Sequence, residues 1–125
     1  MIAHVVLLTP RPDLSASDRA AAFEALTRST AAIPEIVRAR IGRRVTHGLP
    51  GYEQQMKQHF EVALLLEFAD TASLQRYLRN PAHGELGHLF SSATSAAIAY
   101  DFEIEAPAHA KRLWADDPGV APAPS

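Results

Sequence analysis

Residues 73–88, SLQRYLRNPAHGELGH, decide the fold because a helix forms and stops within them. The apolar side chains before the stop have the i, i+3, i+4 spacing of an amphipathic helix: Leu74, Tyr77 and Leu78. Asn80-Pro81 predicts the end of this helix, since proline disfavours the helical conformation in the residue before it. His83 follows directly, ahead of a second helical segment that carries Leu86, Leu89 and Phe90. We therefore expect polar side chains beside an abruptly ended helix.

Strands are predicted on both sides of this stretch. Residues 4–8, HVVLL, form an apolar run that favours a first strand buried on both faces, with His4 on the same face as Val6 and Leu8. Residues 60–68 alternate strictly, with the even positions on the core side. A last strand has Ile98, Tyr100, Phe102 and Ile104 on one face, and we expect that face to close the core.

A helix and an arginine-rich strand are predicted between the first two of these strands, residues 4–8 and 60–68. Ser15 or Ser17 can cap the helix, which carries an apolar face and ends before Pro34. Residues 35–46 then alternate, with three arginines on one side: Arg38, Arg40 and Arg44. So much charge is typical of an edge strand. An anion or phosphate site is the functional alternative for these arginines.

The predicted order is strand, helix, strand, strand, helix, strand. This is the split βαβ arrangement of the ferredoxin-like α+β fold, a four-stranded antiparallel sheet whose first and third strands are central. The second and fourth strands then form the two edges.

The same residues resemble a known family, the stress-responsive A/B barrel (Dabb) domain, over roughly residues 1–105. The resemblance rests on the opening strand at His4 and on one pattern: Leu74, Tyr77, Leu78, Pro81, Ala82 and His83. It implies a dimeric α/β barrel and, for most relatives, no assigned reaction. A distant similarity to polyketide cyclases of the olivetolic acid cyclase type implies that Tyr77 and His83 are catalytic in an aldol-type ring closure, with His4 at the pocket.

The residue types suit acid–base chemistry in an apolar pocket without a cofactor, as in a cyclase or lyase. His83 could act as a general base, Tyr77 could donate a hydrogen bond to a carbonyl or enolate oxygen, and His4 could orient the substrate. A structural alternative stays open for each residue: Tyr77 packs in the core, His83 caps the broken helix, and His4 bonds to a backbone group or water. The chain would then be a non-enzymatic, stress-related dimeric scaffold.

Composition and motifs argue against several other classes of function. The 125 residues carry a net charge of −2 and no cysteine, so we expect no nucleic-acid partner, disulfide or thiolate metal site. His83, Glu85 and His88 are the only local metal-ligand candidates, and their spacing matches no strong metal motif. The first residues predict a strand and not a signal peptide, and no run is long enough to cross a membrane, so a cytoplasmic location is the expectation.

Three further expectations concern the surface. A sheet with helices on only one side predicts a homodimer, in which Arg38 and Arg40 approach the acidic residues of the partner's last strand: Asp101, Glu103 and Glu105. The long connection at residues 46–59 is a candidate lid over a pocket. Residues 106–125 form a largely disordered tail, in which Trp114 either anchors the segment or is exposed.

Overall fold

The computed structural model describes residues 1–115. The strands and main helices, in chain order, are β1 Ile2–Pro10, α1 Ala16–Ala32, β2 Arg38–Arg43, β3 Val62–Phe68, α2 Thr71–Arg79, α3 Pro81–Ala93 and β4 Thr94–Glu103. The strands form one antiparallel sheet in the order β2-β3-β1-β4. The predicted ferredoxin-like α+β fold is confirmed, with the first and third strands central and the second and fourth at the edges.

Helix α1 begins where the sequence predicts. The Ser15 hydroxyl accepts a hydrogen bond from the Asp18 amide at 3.1 Å, which satisfies one of the free N–H groups at the helix start. The helix ends at Ala32, ahead of Pro34. Leu26 and Ile33 are buried against the sheet, so α1 covers one of its faces.

The register of the central strands decides which side chains the helices cover. β1 pairs with β3 so that His4 lies opposite Leu66 and Leu8 opposite Val62. All four of these side chains are buried. His4 therefore lies on the helix-covered face, as the alternation of β1 predicts.

The opposite face of the sheet has no helix over it, and this corrects two expectations. Ile98, Tyr100 and Phe102 do not close the core: they are 36%, 59% and 51% exposed. They pair with Leu7, Val5 and Ala3 of β1, residues of odd parity that point away from the helices and are only half-buried. The buried residues of β1 thus lie on one face only, because the single chain supplies helices to one side. We call this apolar surface the open face.

β2 is shorter than predicted. It spans Arg38–Arg43 instead of residues 35–46, and all six of its residues are exposed. One further backbone hydrogen bond flanks the strand at each end, from Val37 to Glu67 and from Arg44 to Glu61. Its edge position is as expected for a strand rich in arginine.

The junction of α2 and α3 is tighter than the sequence suggests. The second helix was expected after His83, but α3 begins at Pro81 and places His83 in its first turn. Asn80 ends α2 and caps α3, since its side-chain oxygen accepts a hydrogen bond from the Ala82 amide at 2.9 Å. Proline suits the first position of a helix because it has no N–H to leave unpaired. Leu78, expected in the buried stripe, is 39% exposed.

The connection between β2 and β3 and the C-terminal segment contain only short helices. The connection has a single 3-10 turn, Glu53–Gln55, and Gly48 and Gly51 adopt positive φ angles there. After β4 come a 3-10 turn, Pro107–His109, and helix α4, Lys111–Trp114. The rest of the predicted tail, residues 116–125, lies outside the described residues. Among residues 1–115, no helix has the length and apolar content needed to cross a bilayer.

Candidate acid–base site

Three side chains predicted from separate parts of the sequence lie together between the sheet and α2. The ring centroids of Tyr77 and His83 are 4.8 Å apart, and those of His4 and Tyr77 are 5.7 Å apart, both in edge-to-face geometry. Six residues along one uninterrupted helix would put Tyr77 and His83 on different faces. The break at Asn80-Pro81 turns α3 so that His83 comes back onto the preceding turn of α2.

The three side chains differ in burial. Tyr77 and His4 are 2% and 6% exposed, whereas His83 is half-buried. Tyr77 also packs on Phe68 at 5.0 Å and belongs to the main hydrophobic core. The tyrosine ring therefore has the packing role that the structural alternative proposed for it, while its edge also meets two histidines.

Asp101 is a fourth member of this cluster, which we call the His4 cluster: His4, Tyr77, His83 and Asp101. The Asp101 carboxylate lies 2.5 Å from Nδ1 of His4. A carboxylate on one ring nitrogen holds a proton at that nitrogen and fixes the orientation of the ring, so the other nitrogen, Nε2, is free of this contact. His4 is thus satisfied by a side chain instead of the backbone group or water that the alternative interpretation supposed.

Sequence reasoning missed this role of Asp101. The alternation of β4 placed Asp101 on the face opposite Tyr100, but the contact with His4 joins residues 97 positions apart. It depends on the register in which Asp101 lies directly opposite His4. The only available signal was that both residues alternate away from the open face.

The electrostatics keep the tyrosine protonated. Burial of the hydroxyl, together with the nearby Asp101 carboxylate, raises the pKa of Tyr77 to about 12. Both causes disfavour the charged form of the hydroxyl. At neutral pH Tyr77 can donate a hydrogen bond to an oxygen atom placed beside it.

The same surroundings favour a neutral His83. Desolvation and the neighbouring His4 lower the pKa of His83, and the backbone of Leu78 opposes them with a smaller effect. A histidine whose pKa lies below 6.5 is mostly unprotonated at pH 7 and can accept a proton. The His4 cluster therefore combines a proton donor with a proton acceptor, the pair that enolisation of a carbonyl compound needs.

The remaining candidate residues lie elsewhere. His88 and Glu85 line a separate groove between α1 and α3. Within residues 1–115, no three histidine or acidic side chains come close enough together to hold a metal ion. Four prominent grooves on the described surface are lined without any member of the His4 cluster.

The long connection is not placed as a lid over the His4 cluster. His59 accepts a hydrogen bond from Thr9 through its backbone carbonyl at 2.6 Å, which ties the connection to the far end of β1. Thr9 lies about 17 Å along the strand from His4 at the usual rise per residue. Residues 46–59 instead border a groove at the end of the open face that contains Met56.

The acidic residues in and just after β4 have partners within their own chain. Asp101 holds His4, and Arg112 binds Glu103 at 2.5 Å and Glu105 at 3.1 Å. Register places Asp101 and Glu103 on the helix-covered side of the sheet, whereas Arg38 lies opposite Glu67 on the other side. The charges therefore give no reason for Arg38 and Arg40 to approach β4 of a second subunit.

Comparison with known families agrees with this architecture. A family model described as the stress responsive A/B barrel domain matches residues 2–104. The chain belongs to this family. No curated protein matches the sequence at a significant level.

Solved structures share the fold at low sequence identity. Hydroxynitrile lyase from Passiflora edulis superimposes with a TM-score of 0.72 at 15% identity, over 83% of this chain and 93% of the lyase. A Dabb family protein from Mesorhizobium loti gives 0.67 at 16% identity, over 84% and 97%. A dimeric ferredoxin-like protein from Thermobifida fusca gives 0.65 at 17% identity, over 82% and 90%. These similarities show the fold.

Proposed function

We propose that this stress responsive A/B barrel protein binds a hydrophobic carbonyl compound at the His4 cluster and acts on it by acid–base chemistry. The observation that carries the proposal is that His4 and His83 both contact Tyr77, with Asp101 bound to His4. A structural neighbour is named a hydroxynitrile lyase, so the fold supports an enzyme in at least one member. No cofactor is required by this chemistry.

The roles follow from the protonation states. His83, neutral at pH 7, removes a proton from the carbon next to the carbonyl. Tyr77 donates a hydrogen bond to the oxygen, whose negative charge grows as the enolate forms. His4, held by Asp101, orients the substrate through Nε2. Positioned proton transfer of this kind contributes about 10²–10⁴-fold to a rate.

We also propose a homodimer that covers the open face. The structure from Thermobifida fusca is described as dimeric, as are ferredoxin-like proteins from Bacteroides fragilis and Jannaschia. The open face exposes Tyr100 and Phe102, and a second copy would remove this apolar area from water. A cytoplasmic location, without a nucleic-acid or membrane partner, stays a prediction.

A binding experiment tests the ligand. Phenylacetone is a suitable probe because it joins an aromatic ring to a ketone with acidic neighbouring protons. We expect it to raise the melting temperature of the native protein, and this thermal shift to disappear in His83→Ala while the unliganded melting temperature changes little. His88→Ala is the matched control, since His88 is exposed on the same helix and lines a different groove. Its thermal shift should equal that of the wild type.

The second candidate function is a dimeric scaffold without chemistry, related to stress as the family name says. The observation in its favour is that the four described grooves avoid the His4 cluster. It predicts no thermal shift with any carbonyl compound, and it predicts that His83→Ala unfolds the protein because the histidine serves only packing. Either result would replace the first proposal with the second.

A further inference from the structure

A groove of about 590 Å³ lies between helix α1 and the edge strand β2, away from the His4 cluster. Its walls are mainly apolar and come from three elements: Phe23 and Leu26 of α1, Ile41 of β2, and Val62 and Leu64 of β3. Its volume falls within the range of about 300–1,000 Å³ typical of small-molecule sites. The groove is therefore large enough for a ligand with an apolar body.

The charged groups of this α1–β2 groove are mostly cationic. Three arginines and one glutamate contribute to the lining: Arg19, Arg40, Arg43 and Glu61. Arg19 is paired with Glu61 at 2.9 Å. Within residues 1–115, Arg40 and Arg43 take part in no ion pair. The groove thus has two uncompensated positive charges beside an apolar wall.

Register decides which of these arginines faces the groove. Arg43 lies opposite Val62, so it is on the helix-covered side of the sheet, the side on which α1 packs. Ile41 and Ala39 share its parity. Arg40 has the other parity and reaches the groove only from the strand edge. We therefore give Arg43 the main role in recognising an anion.

We propose that the α1–β2 groove binds a small amphipathic carboxylate, with its chain along Phe23, Leu26 and Ile41 and its carboxylate on Arg43. A guanidinium binds a carboxylate through two parallel hydrogen bonds, which fixes both the position and the charge of the head group. The apolar wall favours a ligand with a hydrocarbon or aromatic body over free phosphate or a short acid.

This site is independent of the proposed carbonyl chemistry. Leu26 and Leu64 line the groove and also belong to the buried core that contains Tyr77, so packed side chains separate the groove from the His4 cluster. The groove also opens beside α1, on the side of the sheet opposite the open face. A dimer formed through the open face would leave it accessible.

The test measures octanoate binding to the full chain by isothermal titration calorimetry. We expect octanoate to bind, octanol to bind much more weakly, and inorganic phosphate not to bind. Arg43→Gln should weaken octanoate binding about tenfold, the size expected for a lost charged hydrogen bond. Arg38→Gln is the matched control: it removes the same charge from the same strand but lies outside the groove, so it should leave the affinity unchanged.

A second variant tests the place of the apolar chain. Ala39 is exposed, lines the groove and points to its side of the sheet, so Ala39→Trp should fill the groove without disturbing the core. We expect it to abolish octanoate binding with an unchanged melting temperature. Equal binding of octanoate and octanol, equal losses in Arg43→Gln and Arg38→Gln, or full binding in Ala39→Trp would overturn the proposal. Loss of octanoate binding in His83→Ala would place the ligand at the His4 cluster instead.

Discussion

Burial of the single residue Tyr77 predicts that the stability of the protein depends on pH. Its pKa in the folded protein is about 12, above the value of 10 for an exposed tyrosine, so the unfolded chain loses this proton first as the pH rises. The stability linked to Tyr77 is complete below pH 10 and is lost between pH 10 and 12. We expect the free energy of unfolding of the wild type to fall by up to about 3 kcal/mol over this window because of Tyr77.

Urea denaturation between pH 9 and 12 checks this expectation. Tyr77→Phe has no hydroxyl to ionise, so its stability should fall less steeply than that of the wild type. Tyr100→Phe is the control, because Tyr100 is exposed and should behave as the wild type does. Parallel curves for the wild type and Tyr77→Phe would show that the hydroxyl is not desolvated in the folded protein.

Asp101 is expected to act through His4. Asp101→Asn keeps the shape of the side chain but no longer fixes the proton on Nδ1 of His4. We expect phenylacetone to bind about tenfold more weakly, which corresponds to about 1.4 kcal/mol. Glu103→Gln is a matched control on the same strand face, since Glu103 binds Arg112 instead of His4. Calorimetric affinities that are equal for the two variants would deny Asp101 this positioning role.

The residue scale also shows where sequence reasoning stops. The link between Tyr77 and His83 was predictable because the signal, an Asn-Pro break, lies between them in the chain. The contact between His4 and Asp101 was not, because β1 and β4 pair across most of the sequence and nothing local fixes their register. Burial of Leu74 followed from helical spacing, but exposure of Leu78 depends on how α2 is rotated on the sheet.

Asn80 controls the geometry of the site at the scale of the helices. It caps the start of α3 through its side chain and ends α2 through its backbone, which bonds to the Tyr77 carbonyl at 3.1 Å. Asn80→Ala should cost about 1 kcal/mol, the usual value of an N-cap, or about 4 °C in melting temperature for a chain of this size. Asn80→Ser keeps a capping oxygen and should recover most of the loss in a thermal melt. Full stability of Asn80→Ala would show that the side-chain cap is dispensable.

The sequence predicted the type and order of the helices and strands. It was less informative about the residues at which they begin and end. Caps and prolines are local signals, and they placed both ends of α1 correctly. The bounds of β2 could not be derived, because the strand ends where its neighbour β3 stops pairing with it and not where its own alternation stops. The start of α3 was misjudged because proline, treated as a stop signal, also serves as the first residue of a helix.

The open face predicts how the whole molecule assembles. A charge in the centre of this face should prevent a second copy from covering it. We therefore expect the wild type to have the mass of a dimer in light scattering at micromolar concentration, and Tyr100→Glu the mass of a monomer. Trp114→Glu is the control, because Trp114 is 89% exposed but lies on α4, outside the open face, and this variant should stay dimeric. A wild-type protein of monomer mass would exclude the dimer.

The exposed residues of β4 show that a sequence alone does not reveal which face of a sheet is covered. The apolar residues Ile98, Tyr100 and Phe102 were expected in the core, since a sequence shows which residues alternate together but not which face the helices cover. These residues are exposed in a single chain and would be buried only in the interface of the proposed dimer. The prediction of a dimer rests on this apolar pattern and does not depend on the charges of the edge strands.

Exchange of the α-protons of phenylacetone in D₂O, followed by ¹H NMR, tests directly whether the His4 cluster removes a proton from a carbonyl compound. We expect the wild type to accelerate exchange at pH 7 and to lose this activity as the pH falls below about 6.5 and His83 becomes protonated, since its pKa is lowered. His83→Ala and Tyr77→Phe should each reduce the acceleration by about 10²-fold or more, and His88→Ala should not. Exchange at the uncatalysed rate, or the same acceleration in all variants, would show that the His4 cluster is not the acid–base site.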